Sequence, residues 1–249
     1  FAATQPIIKA LTILRNRKLK YILTLIAGIY LASCASQQSK IPGTDINEKV
    51  FELNPAQLEV PTMSFEVIEN EIGALNKYIG SYPPRFANEN ERELVYKKWH
   101  SLVSEAEAYN KINSNTEKSL YLLSELYRQG HNMDVSGSAE KALSNLDSCL
   151  LVNEHSIPCN FSASYFYLSI GPKYLDKAEK SLLVLKNHYS PKLNHEVEAG
   201  YVFLYLYRQN VPKAKNQIDL FIQSFPDSSR VSTFTNIKEN LGDTIEWKQ

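Results

Sequence analysis

The chain has 249 residues, 27 Lys+Arg against 27 Asp+Glu, 43% apolar residues and three Cys. Zero formal charge excludes a nucleic-acid binder that works by counterion release, since such proteins carry a basic excess. Ordinary apolar and charged fractions exclude a disordered chain, three Cys exclude a disulfide-dense miniprotein, and the length admits one domain of ordinary size or two small ones.

The start of the chain is unlike the rest. Residues 1–33 hold five basic side chains (Lys9, Arg15, Arg17, Lys18 and Lys20) and no acid. Tyr21 to Leu31 is an uncharged, largely apolar run, followed by the small residues Ala32 and Ser33 and then Cys34. A basic cluster, a short apolar run and small residues are the parts of a secretory signal. A membrane-spanning helix needs about 20 apolar residues, and polarity resumes at Gln37-Gln-Ser-Lys40. Leu31-Ala32-Ser33-Cys34 resembles the lipobox of bacterial lipoproteins. The resemblance implies that residues 1–33 are cleaved as a signal peptide and that Cys34 is lipidated, carrying palmitate-like acyl chains that anchor the protein on a membrane. A cleaved soluble export signal or an uncleaved anchor is the competing reading. In such lipoproteins of Gram-negative bacteria an Asp after the Cys favours retention in the inner membrane, so with Ala35 there the resemblance implies the periplasmic face of the outer membrane; the inner membrane and the cell surface are the alternatives.

Residues 34–62 read as a flexible tether, polar at first and broken by Pro42-Gly43, Pro55 and Pro61, with Val50–Leu53 and Leu58–Val60 as short extended contacts. From Ser64 the pattern is helical. Phe65, Ile68, Ile72 and Leu75 share one face of a helix ending near Tyr82-Pro-Pro84. A long charged helix follows from about Asn88 to Ile112, with Leu94, Trp99, Leu102, Ala106 and Tyr109 on its buried side. These two helices make residues 63–114 an N-terminal pair. Asn113 to Thr116 supply a turn and an N-cap, and Ser119 to Gln129 is helical again. No segment of useful length has strand periodicity, so the fold class is all-α.

Within residues 115–249 the helices echo one another. Lys141-Ala142, Lys177-Ala178 and Lys213-Ala214 recur every 36 residues, and each Ala is followed at offsets of four and seven by Leu146 and Cys149, Leu182 and Leu185, and Ile218 and Phe221. Leu126-Tyr-Arg-Gln-Gly130 matches Leu206-Tyr-Arg-Gln-Asn210. These features, and Tyr201 to Ala214 followed by Ile218, Phe221 and Pro226, resemble tetratricopeptide repeats. The resemblance implies an α-solenoid of helix pairs whose first helices line a concave groove, with 63–114 as a degenerate pair. The chain departs from the family in its 36-residue period, an insert from His131 to Gly137 and the missing Trp. An irregular helical bundle is the other reading.

No converging set of reactive groups is visible. The five His lack metal-ligand spacing; His188 and His195 flank the turn at Pro191, either as a loose metal site or as solvated turn residues. Glu89-Asn-Glu-Arg-Glu93 reads as the acidic start of a helix rather than as a catalytic pair. No metal, cofactor or catalytic residue is expected. Cys149 and Cys159 sit where one repeat ends and the next begins, and either form a disulfide across that reversal or pack as buried thiols. The first helices are rich in rings: Tyr121 and Tyr127; Tyr165, Phe166 and Tyr167; Tyr201, Phe203, Tyr205 and Tyr207. Aligning the echoes selects Tyr127, Tyr167, Phe203 and Tyr207 as groove anchors, with Arg128 or Arg208 nearby. The expected function is a non-enzymatic scaffold for other envelope proteins or peptides in an assembly complex, without nucleic acid. The alternative is an envelope enzyme or ligand-binding accessory in peptidoglycan or glycan handling.

Overall fold

A computed structural model describes residues 61–242. The signal segment, Cys34 and the extended contacts expected at Val50–Leu53 and Leu58–Val60 lie outside the described residues.

Six of the nine described helices begin where a side chain satisfies a free amide of the first turn. Ser64 Oγ accepts from Val67 N at 3.4 Å and opens α1 (Phe65–Ile79), which buries Ile68, Ile72, Leu75 and Ile79 along one stripe. Asn88 opens α2 (Glu89–Asn113). Its Oδ1 accepts from Glu91 N at 2.9 Å while the Glu91 carboxylate accepts from Ala87 N at 2.6 Å, a reciprocal cap that occupies the acidic start of this helix. The buried stripe of α2 is Val95, Trp99, Leu102 and Ala106, whereas Leu94 is 59% exposed. The expected face thus differs at its start alone, where Val95 is buried in place of Leu94, while Trp99, Leu102 and Ala106 lie on it as expected.

Thr116 caps α3 (Glu117–Asn132), with its hydroxyl accepting from Ser119 N. This helix runs through His131 and Asn132, so the insert in the repeat contracts to residues 133–137, turned by Gly137 at φ 74°. The chain continues through α4 (Ser138–Val152), α5 (Ile157–Ile170), a short 3-10 turn (Pro172–Tyr174), α6 (Leu175–Tyr189), α7 (His195–Tyr207), α8 (Val211–Ser224) and α9 (Val231–Asn240). No strand occurs among the described residues, and the fold is all-helical.

Short connections make consecutive helices neighbours, and a second set of contacts skips one helix: α1 packs on α3, α3 on α5 and α5 on α7. The first helices form one layer, and α2, α4, α6 and α8 cover it. All nine echo positions (Ala142, Leu146, Cys149, Ala178, Leu182, Leu185, Ala214, Ile218 and Phe221) are completely buried. The small Ala lets each covering helix approach closely and the bulkier residues pack on either side of the crossing. Close approach also uses glycine: a Cβ on Gly200 of α7 would lie 2.6 Å from Leu182 Cδ2 on α6. At the start of the described chain, the buried Glu105 of α2 accepts from Thr62 N at 2.8 Å, Thr62 Oγ1 at 2.7 Å and Met63 N at 3.3 Å.

Candidate functional site

The layer of first helices carries an open cleft of about 360 Å³ between the end of α1, α3 and the length of α5. Its floor is built by α3. Arg128 donates to Gly80 O at 2.9 Å and Asn76 Oδ1 at 3.3 Å, Gln129 to Ile72 O at 2.9 Å, and Asn132 to Ile79 O at 2.9 Å. Three side chains of α3 thus take up carbonyls of α1 and fix the cleft's first wall. Arg128 also pairs with Glu125 at 2.8 Å, and Ser162 of α5 donates to the same carboxylate, joining the second wall. Burial works against ionisation of Glu125, but the Arg128 guanidinium outweighs it and holds the carboxyl below the usual range.

With these polar groups committed to one another, Tyr82, Tyr121, Phe161 and Tyr165 give the cleft its apolar character, all half-buried. Tyr165 is held from α7, its hydroxyl donating to Glu196 O at 2.7 Å or to the Glu196 carboxylate at 2.9 Å. Burial opposes the Glu196 charge too, and Arg230 at 2.8 Å, with Tyr165 and His195, keeps that carboxyl ionised to lower pH.

The disulfide Cys149–Cys159 joins α4 to the first turn of α5, with Cα atoms 6.4 Å apart. Both sulfurs are buried with Leu120, directly beside Pro158 on the cleft rim. Cys149 also fills the core position that Leu185 and Phe221 fill in later helices.

The four rings selected from the echoes are elsewhere. Tyr127 and Tyr167 are buried between the helix layers, not offered to the cleft. The Tyr127 hydroxyl donates to Glu107 of α2, and Lys141 of α4 lies over its ring at 4.7 Å. Tyr167 repeats this arrangement, donating to Asp147 of α4 at 2.5 Å, with Lys177 of α6 on that carboxylate at 2.8 Å. Phe203 is buried against Phe234, and with the half-buried Tyr207 it borders a crevice of about 10 Å³ beside Tyr165, large enough for little more than a water. Burial thus corrects Tyr127, Tyr167 and Phe203 as groove anchors, while Tyr207 stays half-buried at the crevice; Tyr121 and Tyr165 from the same ring-rich helices line the cleft, as does Arg128, whereas Arg208 is held by Asp176 and Glu179 at 2.6 and 2.7 Å. Phe161, Tyr82 and Ser162 were not selected from the sequence at all.

No protein-family model matches the chain, and no curated protein or solved structure matches it. The site must be judged on its own chemistry. Among the described residues no group of three or more His, Cys, Asp or Glu could hold a metal ion. His188 lies edge-on to Tyr189 at 4.8 Å, and His195 bonds Ser228 at 2.6 Å and packs on Phe221 and Phe225.

Proposed function

We propose that the protein is a bacterial envelope lipoprotein, tethered to the periplasmic face of the outer membrane by acyl chains on Cys34, whose helical domain is a non-enzymatic scaffold for other envelope proteins or peptides. The finer form of the fold is a solenoid of tetratricopeptide-like pairs; the alternation of a first-helix layer with covering helices and the burial of every echo position support it. The observation that carries the binding reading is the cleft itself. It is open, walled by half-buried rings, and its one carboxylate, Glu125, is engaged by Arg128 and Ser162. Half-buried aromatic surface beside a carboxylate that is already engaged takes up a partner's apolar side chains at small desolvation cost, which suits recognition of a peptide or helix.

The test is photo-crosslinking in living cells from a benzoylphenylalanine placed at Phe161 or at Tyr121. A discrete envelope protein captured from both positions, and not from the exposed Leu151 at the end of α4, is expected. Only background products from both cleft positions would overturn the scaffold reading.

A further inference from the structure

Lys141, Lys177 and Lys213 follow the 36-residue rhythm, and each ammonium lies over a tyrosine of the helix before it: Tyr127 at 4.7 Å, Tyr167 at 5.5 Å and Tyr205 at 5.5 Å. In the first two places a carboxylate from the preceding covering helix closes the arrangement, Glu107 on the Tyr127 hydroxyl and Asp147 on both Tyr167 and Lys177. The third place is open. The residue 36 positions beyond Asp147 is Leu183, which stands 50% exposed on α6. Tyr205 is correspondingly half-buried where Tyr127 and Tyr167 are buried.

Charge changes in the same direction one turn further along α6. Lys186 stands where the rhythm places Leu150 on α4, and its ammonium lies over Tyr201 at 5.2 Å. Relative to the preceding pair, this face has lost an acid and gained a base. The acids on this flank of α6 are already used: Asp176 and Glu179 both hold Arg208, at 2.6 and 2.7 Å. Among the described residues neither Lys186 nor Lys213 has a carboxylate within ion-pair distance.

We propose that Leu183, Lys186, Tyr205 and Lys213 form a docking surface for an acidic peptide segment of a partner protein, one that sets an apolar side chain beside its carboxylates. The partner's apolar group covers Leu183, and its carboxylates meet the two ammonium groups as Asp147 meets Lys177 within the chain. Covering the leucine also removes water from the ion pairs, which strengthens them relative to exposed ones. The surface rests on the reading of this protein as a protein binder but shares no residue with the cleft.

The purified full chain is titrated with a fluorescein-labelled decapeptide alternating Glu with Leu and Phe, followed by anisotropy at low and high salt. Saturable binding that weakens with salt is expected. Leu183→Asp supplies the missing carboxylate from within and is expected to weaken binding at least tenfold while the thermal midpoint holds. The double variant Lys186→Gln/Lys213→Gln is expected to weaken it similarly, and Leu151→Asn to leave it unchanged. No saturable binding, or parental affinity in Leu183→Asp, overturns the proposal. So does binding to phosphatidylglycerol vesicles through the two lysines without any peptide binding, which would make the face a membrane contact. If the peptide binds as expected while crosslinking from the cleft yields only background, the cleft reading falls and this surface stands.

Discussion

At the scale of single residues, the described domain contains buried polar atoms whose cost can be read from pH. His131, at the end of α3, sits edge-on to Phe166 at 5.9 Å, and its Nε2 is buried with no hydrogen-bond partner. Burial lowers its pKa from the ordinary 6.5, against the opposing pull of Asp134 and Glu140. The unfolded chain therefore takes up a proton that the folded chain resists, so stability is highest above pH 6.5 and falls as pH drops from there toward the lowered folded value. Guanidinium melts at pH 7.5 and 5.5 are expected to show the parent losing more stability on acidification than His131→Gln; equal losses would remove His131 as the cause. Glu125 and Glu196 are held below the ordinary carboxylate range, so their contribution persists through this interval and is lost only at more acid pH.

At the scale of elements, what could be read from the sequence followed from how sharply each helix divides apolar from polar residues around its axis. The helices α1 and α3 are amphipathic, and their extents and caps at Ser64 and Thr116 are visible in the spacing of apolar residues after a capping side chain. The echo of the covering helices was legible because a small Ala and two larger residues repeat wherever one helix crosses another. In α5 and α7 the signal vanishes. They are packed on several sides and apolar nearly all round, so periodicity cannot say which of Tyr165, Phe166 and Tyr167 faces outward. The sequence therefore offers Tyr167 and Phe203 as groove anchors although both are buried, and does not single out Phe161. The crossing of α6 and α7 makes the same point energetically. Leu182 is completely buried and lies on the bare backbone of Gly200. Leu182→Ala is expected to cost about 2 to 5 kcal/mol, read as a lowered thermal midpoint; an unchanged midpoint would refute this packing.

At the scale of the whole molecule, apparent neutrality conceals two segments of different character. Residues 34–249 hold 22 Lys+Arg against 27 Asp+Glu, a formal charge of −5, because the first 33 residues remove five bases and no acid. A net negative domain gains little from anionic headgroups, which agrees with the proposed lipid anchor at Cys34. Cys34→Ser is expected to shift the protein from the membrane pellet to the soluble fraction on cell fractionation; unchanged pelleting after a carbonate wash would refute a lipid anchor there. The attachment of Thr62 and Met63 to Glu105 then gains a mechanical meaning. Among the described residues, a pull from the N-terminal side meets one carboxylate on α2, shared among three donors, ahead of α1. The described chain thus starts moored to its second helix, just ahead of α1, whose end walls the cleft.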